Sequence, residues 1–152
     1  GARTMTHDEI LALVMGLDNA KGGASEETRK NLETVGADIA AYYLEAYPRF
    51  KKWQGRVELV YRATRYSRTR DEAYRLGVIA LADKAAIVRY RACGVLAYSL
   101  RRDAIPFLET LLSHPAKDTA EHAAAAIDAI RHQNHNYFID RSHTGRGFWV
   151  ID

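Results

Sequence analysis

Residues 104–131 read AIPFLETLLSHPAKDTAEHAAAAIDAIR, and residues 73–100 read AYRLGVIALADKAAIVRYRACGVLAYSL. In the first stretch Ile105, Leu108, Leu111 and Leu112 recur with helical period, His114-Pro115 halts them, and Ala120, Ala123, Ala124, Ile127 and Ile130 resume the pattern. In the second, Ala73, Leu76, Gly77 and Ala80 run up to Asp83, and Val88, Ala92, Val95, Leu96 and Ser99 form the next stripe. Ala73 and Ala104 are 31 residues apart and Val95 and Ile127 are 32, which is one helical hairpin per period. Each stripe is too short to hold a helix in water by itself, so the hairpins must pack on one another. The small residues Ala92, Gly94, Ala97 and Ala123 to Ala126 let neighbouring helices approach closely.

Toward the N-terminus the same period continues. Thr6 followed by Glu9 has capping-box spacing and opens a helix carrying Ile10, Leu11, Val14 and Leu17. That helix ends at a flexible stretch, Asp18–Ala24, with Gly22-Gly23 inside it. Ser25 is the expected cap of a long helix running to Tyr47, with Leu32, Val35, Ile39, Tyr42, Tyr43 and Ala46 on one side, and Pro48 closes it. Phe50, Trp53, Val57, Val60, Tyr61 and Thr64 predict a third helix whose arginines fall on other faces. Thr69 with Glu72, Asp118 with Glu121, and the single residues Asp83 and Asp103 supply further expected caps. Residues 1–4 precede Met5, the expected natural start, and take no part in the pattern.

The two later stretches resemble the HEAT repeat family. Residues 104–131 carry Pro106 in the first turn, a Leu108-x-x-Leu111-Leu112 helix, and an alanine-rich partner helix ending in Ile127 and Ile130. Residues 73–100 carry Asp83 and the Val88-Arg89 pair, matching the family's turn aspartate and Val-Arg; in the second repeat Glu121 takes that arginine's place. The resemblance covers residues 73–131 and implies an all-α fold: stacked antiparallel helix pairs, a HEAT-like α-solenoid of about seven helices. The expected organisation is one domain over 1–152, with N-terminal helices at 5–72, two HEAT-like repeats at 73–131, and a separate tail at 135–152.

The tail reads HNYFIDRSHTGRGFWVID from His135. Tyr137, Phe138 and Ile139, and Phe148 to Ile151, favour strand, with turn residues between. These predict a short C-terminal β-hairpin, or an extended tail, with Phe138 and Trp149 packed on the last helices.

With 47% apolar and 27% charged residues the chain is a globular, not a disordered, sequence. Its one cysteine, Cys93, rules out an intramolecular disulfide and a thiolate zinc cage. No stretch is apolar enough to span a membrane and no secretory signal opens the chain, so a cytoplasmic protein with no membrane partner is expected. The net charge of +3 is unevenly spread. Residues 49–75 hold nine basic groups against three acidic ones, whereas residues 1–48 hold four against eight. The expected partner-binding residues are Trp53, Arg56, Arg62, Arg65, Tyr66, Arg68 and Arg70, joined by Arg141 and Arg146 from the tail.

Catalytic signatures are missing. There is no phosphate loop, no Gly-x-Ser-x-Gly elbow and no His-Glu-x-x-His. His122, His132, His135 and His143 cluster late in the chain, and His132-x-x-His135 has metal spacing. That pair falls where the last helix frays, with no carboxylate recognised at a helical offset, so neither metal nor cofactor is expected. The expectation is a non-enzymatic module that binds another macromolecule. Its HEAT-like repeats and short tail resemble those of some bacterial immunity proteins, which implies a protein partner, the toxic domain of a cognate toxin. The alternative is nucleic-acid binding, as in the HEAT-like alkylpurine DNA glycosylases, with the arginines of 49–75 and Trp53, Tyr61 and Tyr66 on the backbone and bases.

Overall fold

A computed structural model describes residues 4–19 and 24–151. The described chain is all-helical: α1 (His7–Met15), α2 (Glu26–Val35), α3 (Ile39–Ala46), α4 (Trp53–Ala63), α5 (Asp71–Ala80), α6 (Ala86–Ser99), α7 (Ile105–Glu109) and α8 (Lys117–Arg131), with short 3-10 turns between them. Gly22-Gly23 of the expected flexible stretch lies outside the described residues.

The helices form a bundle around α6, which packs on α4, α5 and α8. Val88, Ala92, Cys93, Gly94, Val95, Leu96 and Ala97 are all buried, so this helix is apolar nearly all round. Gly77 permits the close approach of α5, since a Cβ there would sit 2.7 Å from Val95 Cγ1. Ala73, Leu76, Gly77 and Ala80 all face inward, as their spacing predicts. At the other end α1 packs on α2 and α3, and α3 on α5. Thr6 and Glu9 form the capping box, and Ser25 caps α2 by accepting from Thr28 N. Burial at Cys93 pushes the thiol up to about 12, and the arginines Arg141 and Arg89 offset only part of that rise.

Several boundaries differ from the sequence pattern, each for a local reason. The expected helix from Ser25 to Tyr47 is two helices, because Gly36 adopts φ +74 and its N–H closes on Glu33 O, ending α2. Thr69 and Asp118 do not cap: α5 and α8 follow Arg70 and Ala116, which make no side-chain cap bond. The helix expected to reach Leu112 stops at Glu109 and continues as turns, leaving Leu112 exposed. The N-terminus of α4 is served from afar, where Asp18 accepts from Lys51 N (2.9 Å) and Lys52 N (3.1 Å).

The β-hairpin is corrected outright: no strand occurs among the described residues. His135–Phe138 form a 3-10 turn capped by Asn134, and residues 139–151 fold back without a ladder. Their backbone groups bond to side chains instead. Asp140 accepts from Thr144 N and Gly145 N, Asn136 Oδ1 accepts from Trp149 N, and His135 Nε2 donates to Trp149 O. Burial of Phe138 against α6 and α8 outweighs the strand preference of Tyr137-Phe138-Ile139. Trp149 does pack inward, its ring 5.3 Å from that of Phe138.

Candidate partner-binding face

The basic segment 49–75 is divided by helical geometry. On α4, Arg56 shares the inward face with Val60 and Ala63, at i, i+4 and i+7, and is itself buried. Its Nε and Nη2 donate to the two oxygens of Asp83 at 2.8 and 3.2 Å, and Nη1 donates to Lys51 O. Asp83 also accepts from the Tyr47 hydroxyl and from Ala85 N. Burial opposes ionisation of Asp83, but its bonds to Arg56, Tyr47 and Ala85 hold the carboxyl below the usual carboxylate range. Arg89 extends the network, donating to Asp83 O (2.9 Å) and to the buried Thr119 hydroxyl (3.0 Å) on α8. Arg56 is therefore a structural ion-pair residue, not a surface contact.

Arg68 and Arg70 are also engaged within the molecule. The Arg68 guanidinium lies 3.9 Å over the Tyr98 ring and donates to Tyr98 O and His135 Nδ1. Arg70 pairs with Asp38 at 3.4 Å. In the tail, Arg141 donates to Phe138 O and to His122 Nδ1, while Arg146 is exposed. Trp53 stands half-exposed at the start of α4.

Arg62, Arg65 and Tyr66 do come together. With Arg29, Leu32 and Glu33 from α2, Tyr43, Glu58 and Tyr61, and Ile151 from the tail, they line a cleft of about 330 Å³. Arg62 is steadied by Glu58 one turn earlier (2.8 Å). Tyr43 forms part of the wall; burial raises its pKa against the pull of Arg62, so it stays a neutral hydroxyl. Arg65 lies over the Tyr66 ring and pairs with no described carboxylate. Of the three lining guanidinium groups, Arg62 is paired with Glu58 and Arg29 with Glu26 at 3.8 Å, which leaves Arg65 to offer its charge to an incoming group.

The tail completes this face. Tyr61 touches both the cleft with Ile151 and a small pocket with Trp149, so residues 149–151 run beside it. Arg91 sits 4.7 Å over the Tyr61 ring, also without a described carboxylate partner. Phe148 and Val150 are 71% and 78% exposed on either side of the anchored Trp149. Arg91 was hidden in sequence by the apolar run around it; Phe148 and Val150 read as strand, and only their alternation with Trp149 hinted that they point away from the bundle.

His135 holds the tail, accepting from Arg68 at Nδ1 and donating from Nε2 to Trp149 O. Burial and the nearby Arg68 hold its pKa below the ordinary histidine value, although the bond to Trp149 O pulls the other way. The unfolded chain therefore takes up this proton more readily. The stabilisation is complete above about pH 6.5 and is lost as the pH falls through the folded value. In a Trp53→Phe background, Trp149 emission is expected to shift to the red between about pH 7 and 5, and His135→Gln should flatten that shift. An unchanged spectrum would show that the histidine does not gate the tail.

Comparison with protein families, curated proteins and solved structures gives no match to this chain. The class that fold and site define is an all-helical domain with a basic, aromatic face, and no described helix is long and apolar enough to cross a membrane.

Proposed function

We propose that this protein is a non-enzymatic module that binds another protein, and that it acts as a bacterial immunity protein neutralising a cognate toxin domain. The observation that carries the binding proposal is the juxtaposition of exposed Phe148 and Val150 with Tyr61, Arg91 and the Arg62–Arg65 cleft. Aromatic and arginine anchors around a pocket are the composition of protein-binding hot spots, and an exposed apolar pair on a pinned segment loses little entropy on docking. Arg65, with Arg91 beside Tyr61, favours an acidic partner group. The reading of residues 73–131 as two HEAT-like repeats is supported by the neighbours of α6, with α5 and α8 against it and α7 against α8.

The test is co-purification with the product of an adjacent gene. Arg62→Gln with Arg65→Glu, which sets no second carboxylate against Glu58, should weaken that complex by about 2 kcal/mol or more, roughly 30-fold in Kd, while leaving helical CD nearly unchanged. Arg102→Glu, exposed and outside the cleft lining, should leave it intact. Unchanged affinity in the double variant would remove the cleft from the interface. Retention on heparin at about 50 mM salt that is lost in the same variant would instead favour nucleic acid.

A further inference from the structure

Asp128 on α8 and His132 just beyond it stand at i and i+4, one helical turn apart, with Oδ1 3.2 Å from Nδ1. From the tail, His143 brings Nε2 to 2.5 Å from the other carboxylate oxygen, Oδ2. One donor atom from each of the three residues lies within 4.8 Å of the others. We propose that Asp128, His132 and His143 form a binding site for a divalent zinc ion, in a part of the molecule separate from the cleft and independent of the function proposed for it.

The placement of His143 is built into the fold. Its backbone is held at φ +55, in the left-handed region, by the turn in which Asp140 O accepts from His143 N. The Asp140 carboxylate fixes the next two residues through Thr144 N and Gly145 N. The Tyr137 ring stacks on the imidazole with centroids 3.8 Å apart and planes 11° from parallel. A ligand fixed this way loses little further freedom when an ion arrives.

Two imidazoles and a carboxylate suit a borderline cation better than magnesium or calcium, which take oxygen donors. Zinc bonds of about 2.0–2.2 Å set neighbouring donor atoms roughly 3.3 Å apart in a tetrahedron. The present separations, 2.5 Å from His143 to Oδ2, 3.2 Å from His132 to Oδ1 and at most 4.8 Å between the two imidazole donors, reach that by side-chain shifts of about 1.5 Å or less. His132 and His143 are partly exposed, so a water can take the fourth position. On binding, the proton that His132 Nδ1 directs at the Asp128 backbone carbonyl (2.9 Å) and the one that His143 Nε2 directs at the carboxylate move to each ring's other nitrogen or to solvent, and the freed lone pairs turn to the ion.

The full chain, freed of metal with a chelator, is titrated with zinc chloride by calorimetry and its Tm followed. One ion per chain and a rise in Tm are expected, with no response to magnesium chloride. Removing outer partners of zinc ligands already costs about 10–100-fold in affinity, so His132→Ala, His143→Ala and Asp128→Asn should each lose at least about tenfold. Asp128→Asn leaves the turn around His143 untouched and so separates ligand loss from misfolding, which metal-free CD also monitors. His7→Ala, at the far end of the chain, should bind as the parent does. Failure of the parent to bind zinc at millimolar concentration, or full binding by Asp128→Asn and His143→Ala, would overturn the site.

Discussion

Asp83→Ala should lower the unfolding free energy by about 3–5 kcal/mol, read from urea denaturation followed by helical CD. The substitution strands the Arg56 guanidinium, whose side chain is 8% exposed, without its bidentate partner. It also removes the acceptor used by Tyr47 and by Ala85 N. A domain of this size has only about 5–15 kcal/mol in hand, so the variant is expected to lose a large share of it and to unfold at a clearly lower urea midpoint. The charge itself is not what the fold needs. Asp83→Leu combined with Arg56→Met takes both ions away together and should recover most of the loss, because neither charge is then buried alone. A double variant as unstable as Asp83→Ala would show that the hydrogen bonds to Tyr47 and Ala85 dominate. The pH dependence has a fixed sign. Asp83 ionises more readily folded than unfolded, so its contribution is complete above about pH 4 and fades as the pH drops through the folded value.

Leu96→Ala is expected to cost about 2–5 kcal/mol by the same measurement. Leu96 is fully buried in the last turn of α6 and packs toward Gly77 of α5, where a Cβ would lie 3.1 Å from its Cδ2. Glycine has no side chain to swing into the space left behind, so the cavity stays open and the upper half of that range is expected. Leu112→Ala is the matched control. Leu112 is 46% exposed, so its truncation should fall within about 0.5 kcal/mol of zero. Equal losses at the two leucines would contradict the packing around α6.

The contrast between those leucines shows what was legible before any coordinates. Periodicity placed Leu76, Val88, Val95, Leu96 and Ile130 correctly, because their burial follows directly from helical spacing. It failed at Leu112, where α7 ends early, and at Trp53 and Tyr61, which share a stripe with buried residues but remain half-exposed. Arg56 failed in the other direction: an arginine on an apolar face is invisible to hydropathy until its partner, Asp83, is known to lie opposite. Of the nine expected binding residues, Arg62, Arg65 and Tyr66 line one cleft, while Arg68 and Arg70 bond to Tyr98, His135 and Asp38 at the surface. The hairpin was misjudged because strand propensity registers the side chains of 137–139 and 148–151 but not the side-chain acceptors, Asn136 and Asp140, that capture the backbone. The carboxylate beside His132 was present in sequence as Asp128, four residues earlier; only its closure by His143, fifteen residues from Asp128, required the fold.

Cys93 gives the molecule an internal clock. It is the chain's one thiol, buried on α6 where α4, α5 and α8 pack against it, and burial keeps it protonated while folded. An alkylating reagent at neutral pH therefore reacts only with molecules whose centre has come apart, each of which is marked once and for good. With reagent concentrated enough for alkylation to outpace reclosing, the pace of labelling in native buffer reads the frequency of such excursions, without denaturant, dye or partner.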